Sequence, residues 1–330
     1  MNWKSKKVLV TGSAGFIGSH LTEELVRLGA DVRAMVRYNS GNSWGNLELI
    51  PKETRDALEV VAGDIRDPFF TRKAVDGCDT VFHLAALIAI PYSYVAPKDF
   101  VDTNVGGTLN LMQACLDCGV KKVVHTSTSE VYGTAQYAPI DEKHPIVGQS
   151  PYSASKIGAD KIAESYFCSF GLPVATLRPF NTFGPRQSAR AVIPAMISQM
   201  VSGRKQILLG SLDPVRDFTY VLDTARAFIK VAESQKTVGR VVNSGTGEGH
   251  KIGEVAEIAK RLTGCKAPVS VDRERVRPEN SEVFKLICSN RLIGELADWK
   301  PGYTFEGGMA ETVRHIKENI GRYKPGIYNI

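Results

Sequence analysis

No stretch of the sequence is apolar over a long enough run to cross a membrane, and residues 1–7 do not form the pattern of a signal peptide. A cytoplasmic location is therefore expected. Dense basic segments are also scarce: the net charge is +6, but the basic residues are scattered except in residues 273–277, where no aromatic residue accompanies them. We therefore expect neither nucleic acid nor membrane as a partner, and the modest positive charge favours small anionic substrates.

Cysteine is scarce as well, with six in 330 residues, and the six histidines show no metal-ligand spacing. In a cytoplasmic protein these cysteines are expected to be reduced. Cys115 and Cys118 have the spacing of a redox motif, but they fall late in a helical stretch and no second pair accompanies them, which favours a role in helix packing. The sequence predicts no metal site.

What the sequence does have is an ordinary globular composition, 43% hydrophobic and 23% charged, at a length that suits one large domain or one and a half. Short apolar strand patterns alternate with helical patterns through the first half of the chain. This alternation predicts an α/β fold with a parallel, doubly wound sheet.

A glycine-rich turn joins the first strand pattern, residues 8–10, to the first helical pattern, which ends at Leu28. Gly12, Gly15 and Gly18 suit a tight turn, a close backbone approach to a pyrophosphate, and close packing of helix on strand. Residues 16 and 17, Phe and Ile, lie at the helix N-terminus, whose N–H groups and dipole favour phosphate. The segment predicts a dinucleotide-binding site.

The next strand ends at Arg37, where an NAD-preferring site usually has an acidic residue for the adenosine ribose. Arg37 with Ser40 just beyond it would suit the 2′-phosphate of NADP, which gives a mild lean to NADP. The alternative is that Arg37 stacks on the adenine or faces solvent. Asp64, after the third strand, is a candidate for the adenine amino group, and Leu84, Ala85 and Ala86 follow the fourth strand.

The segment from Thr126 to Lys156 carries candidate catalytic groups. Thr126 follows the predicted buried strand 122–125, and Ser150 and Pro151 have the types expected at a helix start. Tyr152 and Lys156 are then four residues apart on one helical face. A nearby cation favours the phenolate, so this pair suits proton transfer from a substrate alcohol.

Together these motifs resemble the extended short-chain dehydrogenase/reductases that act on nucleotide sugars. The residues that carry the resemblance are Gly12, Gly15 and Gly18, Asp64 and Ile65, residues 83–86, Asn104 within residues 102–108, the Thr128 region, and Tyr152 with Lys156. The resemblance implies a Rossmann-type doubly wound sheet with a smaller, interleaved C-terminal substrate-binding lobe. The expected division is residues 1–180 plus about 240–263 for the NAD(P)-binding domain, and about 181–239 and 264–330 for the lobe.

The resemblance also implies roles for single residues. Tyr152 would be the base at the sugar C4 hydroxyl, Thr128 would assist it, and Lys156 would hold the nicotinamide ribose and lower the Tyr152 pKa. The cofactor contacts implied are Gly12, Gly15, Phe16, Ile17, Gly18, Arg37, Ser40, Asp64, Ile65, Leu84, Ala85, Ala86, Asn104, Thr126, Tyr152, Lys156 and Phe180. The substrate contacts implied are Ile88, Ser93, Thr128, Asn181, Val192, Arg216 and Arg277, the two arginines clamping the diphosphate. A homodimer is expected, through the helices near residues 100–118 and 152–170.

The residues after Thr128 bear on the reaction. Ser129 and Glu130 occupy the place where dTDP-glucose 4,6-dehydratases of this family carry Asp-Glu, while GDP-mannose 4,6-dehydratases and UDP-glucuronate decarboxylases share Thr-Ser-Glu. Residues 83–94 and 213–220 resemble the 4,6-dehydratases of N-acetylhexosamine nucleotides of the legionaminic-acid type. The expected reaction is thus 4,6-dehydration of UDP- or GDP-N-acetylglucosamine, with Glu130 as acid and base and Ser129 assisting. A UDP-glucuronate decarboxylase, a 4-epimerase and a non-enzymatic dinucleotide sensor are the alternatives.

Overall fold

The elements of the fold alternate between strand and helix, as seen in a computed structural model that describes residues 2–276 and 278–328. Within those residues the strands are β1 Lys7–Thr11, β2 Asp31–Arg37, β3 Glu59–Gly63, β4 Thr80–His83, β5 Lys122–Thr126, β6 Val174–Pro179, β7 Asn181–Phe183, β8 Ile207–Leu209, β9 Val215–Arg216, β10 Phe218–Tyr220, β11 Val241–Ser244, β12 His250–Lys251, β13 Val269–Val271 and β14 Lys285–Leu286. The helices are α1 Phe16–Arg27, α2 Lys52–Asp56, α3 Pro68–Val75, α4 Ile90–Val95, α5 Pro97–Phe100, α6 Gly107–Asp117, α7 Pro151–Phe170, α8 Val192–Val201, α9 Val221–Glu233, α10 Ile252–Thr263, α11 Arg291–Ala297 and α12 Phe305–Glu318.

A parallel sheet of seven strands forms the centre, in the order β3-β2-β1-β4-β5-β6-β11. This is the Rossmann order 3-2-1-4-5-6 with one strand added, so the predicted fold class is confirmed. The first three strands are added outward from β1 to β3, and the chain then returns to the other side of β1, where it adds β4 and the strands after it. Ligands of such sheets bind at this switch point, beyond the carboxyl ends of the strands.

Both faces of the sheet are covered, as its apolar strands require. In β1, Val8 and Val10 pack into the core formed with α1 and α9, whereas Leu9 packs into the core formed with α6 and α7. Alternate side chains of a strand point to opposite faces, so the uninterrupted apolar run in β1 is explained by burial on both sides.

The smaller lobe has its own apolar core, in which α8, α10 and α12 pack with β8 and β10. Two helices pack differently from the predicted division. Helix α10, expected with the cofactor domain, contributes Ile252, Val255 and Ala256 to the lobe. Helix α9, expected in the lobe, packs its Phe228 on the central sheet beside α1. The βα pattern alone could not assign them, because both helices have the same amphipathic character.

No helix in the described ranges is long and apolar enough to span a bilayer.

Candidate active site at the carboxyl edge of the sheet

The glycine turn between β1 and α1 is built by steric necessity. Gly12 has φ +70°, and a Cβ there would lie 2.8 Å from the backbone nitrogen of Ala85. A Cβ on Gly18 would lie 2.2 Å from the carbonyl oxygen of Gly12. Helix α1 therefore starts against the turn, with Phe16 and Ile17 in its first turn, where helix N–H groups face outward toward an anion.

The candidate adenosine end lies beyond β2 and β3. Arg37 and Ser40 are both exposed there. The Asp64 carboxylate receives hydrogen bonds from Arg66 at 2.7 Å and 3.0 Å, and these bonds lower its pKa. The Ile65 side chain is buried in the core beneath α6, so its expected cofactor contact, which would involve its backbone, stays a prediction.

A buried histidine ties the loop after β4 to the neighbouring elements. His83 Nδ1 lies 3.0 Å from the Thr11 hydroxyl oxygen, which also accepts hydrogen bonds from the backbone nitrogens of Leu84 and Ala85. His83 Nε2 lies 3.0 Å from the hydroxyl oxygen of Thr108 in α6. These bonds hold the loop of residues 84–86 beside Gly12.

Asn104 lies in a π-helical turn, Val101–Gly106, that joins α5 to α6. Its side chain, 1% exposed, accepts from Leu87 N and donates to Leu87 O and to the hydroxyl of Ser155 in α7. The amide thus fastens the loop after β4 to α7. Its expected contact with the cofactor stays a prediction, and the geometry shows a positioning role.

The start of α7 is as the sequence predicts. Ser150 is the N-cap and accepts from Ser153 N, and Pro151 occupies the first turn. Tyr152 then lies close enough to Thr128 for the threonine hydroxyl to act on its pKa, and its ring packs edge-on against Phe100. Lys156 is buried, and its Nζ donates to Thr126 O at 2.6 Å. Thr128, Tyr152 and Lys156 are thus brought together, as expected, where β5 ends and α7 begins.

Thr128 also positions the backbone of Glu130. Its hydroxyl accepts from Glu130 N at 3.2 Å and caps a short 3-10 turn, Ser129–Tyr132. Glu130 is half-buried and close enough for its negative charge to act on Tyr152. Ser129, by contrast, is buried, so the structure gives Glu130 the better access to a bound sugar.

Burial is the largest influence on the pKa of both Tyr152 and Lys156. Burial raises the pKa of the Tyr152 phenol; the Thr128 hydroxyl opposes this, and the charges of Glu130 and Asp160 add to it. Burial lowers the pKa of Lys156 from 10.5 to about 8. Lys156 Nζ donates to the carbonyl oxygen of Thr126, and the expected lowering of the Tyr152 pKa by Lys156 stays a prediction.

One buried cluster was missed from the sequence. Asp160 lies one helical turn beyond Lys156 and accepts hydrogen bonds from His125 and Ser127 of the β5 segment and from Arg178 of β6. Arg178 also donates to the Tyr132 hydroxyl. Two signals could have found this cluster: the spacing of four from Lys156 to Asp160, and a single arginine within an apolar strand.

The predicted substrate residues are distributed unevenly. Ile88 is 63% exposed after β4, and Val192 begins α8. Ser93 is a correction: it is fully buried, and its hydroxyl donates to Ile90 O within its own helix. The Phe180 ring is buried beside Tyr132, so its expected cofactor contact, which would involve its backbone, stays a prediction.

The candidate diphosphate residues lie on the lobe side. The buried Arg216 side chain pairs with Glu282, Nη2 to Oε1, at 3.1 Å. Arg277 lies outside the described residues. In the part of the chain that the structure describes, Asn181 Oδ1 and Thr126 Oγ1 are buried without a hydrogen-bond partner. Because buried polar groups are normally satisfied, these two atoms fit a site that a dinucleotide and its substrate complete.

The fold and site define an enzyme of the extended short-chain dehydrogenase/reductase class. The chain belongs to the family described as GDP-mannose 4,6 dehydratase, whose model matches residues 9–312. It is an enzyme of the NAD-dependent nucleotide-sugar dehydratase, decarboxylase and epimerase group.

Similar proteins carry out different reactions. The chain is 32% identical to UDP-N-acetyl-alpha-D-glucosaminuronate decarboxylase of Bacillus cytotoxicus, over 95% of this chain and 98% of that protein. The dTDP-glucose 4,6-dehydratase DesIV of Streptomyces venezuelae, solved with NAD bound, has a TM-score of 0.87 at 30% identity, over 97% of this chain and 99% of that one. A UDP-glucose 4-epimerase of Thermus thermophilus, solved with NAD, has a TM-score of 0.83 at 30% identity, over 94% and 99%. Overall similarity therefore does not separate the three reactions.

Proposed function

We propose that the protein is a nucleotide-sugar 4,6-dehydratase that converts a nucleoside-diphosphate hexose to its 4-keto-6-deoxy form. The observation that carries this proposal is the position of Glu130: its backbone N–H donates to the Thr128 hydroxyl, and its carboxylate is close enough for its charge to act on the Tyr152 phenol. A C4 epimerase needs only the redox pair. A second acid-base group next to that pair suits a reaction that also moves protons at C5 and C6.

Tyr152 performs the first proton transfer. Its phenolate accepts the C4 hydroxyl proton; burial favours the neutral phenol, so the Lys156 cation would have to favour the ionised form when the site is occupied. The Thr128 hydroxyl, close to the same oxygen, would orient it. The chemistry supplied by a bound nicotinamide dinucleotide is reversible hydride transfer at C4 and C6. Lys156, at the carbonyl of Thr126, would hold the nicotinamide ribose of that dinucleotide.

Glu130 performs the elimination. The 4-ketone acidifies the C5 proton, Glu130 removes it, and the C6 hydroxyl leaves as water after taking a proton from Glu130. When hydride returns to C6, C5 takes up a proton, which balances the proton that Tyr152 removed from the C4 hydroxyl. Each turnover thus returns Glu130 to its starting state. Ser129 is buried, which leaves it an assisting role through the local backbone.

The substrate proposed is UDP- or GDP-N-acetylglucosamine, by the resemblance of residues 83–94 and 213–220 to the legionaminic-acid type of dehydratase. Support comes from the exposed Ile88, which offers an apolar contact near the sugar, and from Arg216, whose guanidinium suits a diphosphate. UDP-glucuronate decarboxylation and 4-epimerisation stay as alternatives, favoured by relatives of similar identity.

The cofactor proposed is tightly bound NAD(P). The similar structures named above contain NAD, and a lean to NADP rests on Arg37 and Ser40 alone. Both are exposed beyond β2, where a 2′-phosphate would lie. Arg37→Ala should weaken NADP binding about 10-fold or more and leave NAD binding unchanged, since a charged hydrogen bond is worth about 1.5–3 kcal/mol. If the parent protein binds NAD and NADP equally tightly, and Arg37→Ala changes neither affinity, the preference for NADP is wrong.

A homodimer is proposed through the helices that include α6 and α7. Val101, in the turn before α6, and Phe170, at the end of α7, are 53% and 58% exposed, and such an interface would cover them.

Glu130→Gln tests the assignment. The variant should still reduce its cofactor with the correct nucleotide sugar, because Thr128, Tyr152 and Lys156 are intact, but its 4-keto-6-deoxy product should fall at least about 100-fold. Glu53→Gln, on the exposed helix α2, is the matched control and should behave as the parent enzyme. Undiminished product from Glu130→Gln would refute the proposal.

A further inference from the structure

Asp160 is the point at which the catalytic helix is fixed to the sheet. Its carboxylate, in a side chain 6% exposed, accepts from His125 Nε2 at 3.0 Å, Ser127 Oγ at 2.6 Å and Arg178 Nη2 at 3.0 Å. Carboxylate bonds of this kind, buried and charge-assisted, are the strong ones. They join α7 to both neighbouring strands at one place.

The same place sets the direction of Lys156. Three consecutive residues contact α7: the side chains of His125 and Ser127 bind Asp160, and the carbonyl between them, from Thr126, binds Lys156 Nζ. Residues 156 and 160 are one helical turn apart. A shift of Asp160 relative to the end of β5 would therefore change where the Lys156 ammonium points.

Asp160 also balances charge. Lys156 and Arg178 are buried cations near Asp160. Without the Asp160 carboxylate their positive charges would repel each other in the interior, and this repulsion would destabilise the fold. The other ionisable groups that face this cluster are His83 and His125, which burial keeps neutral, Tyr132, Tyr152, and Glu130 on the substrate side.

We propose that Asp160 is a positioning residue of the active site, which locks α7 to β5 and β6 and holds the Lys156 side chain charged and directed at the end of β5.

The protonation states agree with this assignment. Burial alone would raise the pKa of Asp160, but the His125 bond and the charges of Arg178 and Lys156 lower it to about 2, so the carboxylate is ionised throughout the neutral range. Burial lowers the pKa of Lys156 to about 8, and Asp160 acts against that change. Removing the Asp160 charge would therefore bring deprotonation of Lys156 into the working pH range.

The experiment is an NMR titration of full-length protein with isotope-labelled lysine, in which the Lys156 signal is identified by its loss in Lys156→Met. In Asp160→Asn the Lys156 midpoint should move down by one pH unit or more. In Arg178→Gln, which removes the cation competing for Asp160, the midpoint should move up. Asp217→Asn, at another buried aspartate in the smaller lobe, should lower stability without moving the midpoint.

Opposite shifts in the two variants cannot come from general destabilisation. A Lys156 midpoint that stays in place in Asp160→Asn would overturn the inference, whatever happens to activity; if that variant does not fold, an unmoved midpoint in Arg178→Gln overturns it. The inference about turnover rests on the proposed function: the alkaline limb of product formation should follow the Lys156 midpoint. Because the titration needs no substrate, its outcome is separate from a failure to find dehydratase activity.

Discussion

His83 Nδ1 accepts the hydroxyl proton of Thr11 across 3.0 Å. The direction of this bond is fixed, because the Thr11 oxygen already accepts from Leu84 N and Ala85 N and has two lone pairs. His83 is therefore neutral with its proton on Nε2, from which it donates to Thr108. Protonation at Nδ1 would break one bond of the turn that faces the pyrophosphate site.

Acid should accordingly weaken the fold through His83. Burial holds the His83 pKa well below its ordinary value of 6.5, so its contribution to stability is complete above pH 6.5 and is lost as pH falls below it. Between pH 7.5 and 5.5 this amounts to about 1.4 kcal/mol for one such histidine. Denaturant unfolding measures the free energy of unfolding at pH 7.5 and at pH 5.5. Between these two pH values, His83→Gln should lose less of that free energy than the parent protein, by the amount given above. An identical loss in both proteins would contradict a neutral His83.

His20 gives an independent test of the loss of stability in acid. Burial, aided by Arg186, lowers its pKa to about 3, so its stabilising effect is lost between pH 6.5 and about 3. His20→Gln should likewise reduce the loss of unfolding free energy between pH 7.5 and 5.5. If both variants match the parent, the buried histidines do not govern acid stability.

Replacing Gly18 should damage the turn far more than replacing another glycine nearby in the fold. Gly18→Ala would force a Cβ to 2.2 Å from Gly12 O, and crowding of this kind costs about 1–3 kcal/mol. Gly106→Ala is the matched control, because a Cβ there meets open space and its backbone is helical. The thermal unfolding temperature and the affinity for the dinucleotide should fall only in Gly18→Ala. Equal values in the two variants would contradict the packing account.

Tyr152→Phe should abolish oxidation without unfolding the protein. The phenol oxygen is the proposed base, and loss of a general base lowers rates about 100- to 10,000-fold. Tyr166→Phe removes a hydroxyl from the same helix, one that bonds Gln113, and should leave the rate nearly unchanged. The measurement is single-turnover reduction of the bound cofactor by nucleotide sugar; comparable rates in the two variants would remove Tyr152 from the mechanism.

Arg216→Gln should weaken nucleotide-sugar binding about 10- to 100-fold, because a charge-assisted bond to the diphosphate would be lost. Calorimetry with UDP and GDP measures this directly. Arg314→Gln, at an exposed helix surface, is the control for the loss of one positive charge. Unchanged affinity in Arg216→Gln would show that the arginine serves only its ion pair with Glu282.

The sequence was sufficient for the fold and for the residues with local signals. Strand periodicity and the glycine spacing predicted the parallel sheet, and the cap at Ser150 predicted where α7 begins. These features follow from neighbouring residues, so a linear pattern contains them.

Features that depend on distant residues were not accessible in the same way. The Asp160 cluster joins residues from β5, α7 and β6, and no one of these segments alone shows which partners it meets. The family resemblance implied a substrate contact for Ser93, yet its own helix buries it and supplies the acceptor at Ile90. The exchange of α9 and α10 between lobes likewise depends on which apolar face each helix meets.

The central claim is that Glu130 turns an oxidised sugar into a dehydrated one. Its most direct test is to incubate the protein and NAD(P) with UDP- and GDP-linked glucose, N-acetylglucosamine and glucuronate, and to measure product masses. The account predicts a product lighter than an N-acetylglucosamine nucleotide by one water. Loss of carbon dioxide from the glucuronate, or an isomer of unchanged mass, without any dehydrated product would contradict it.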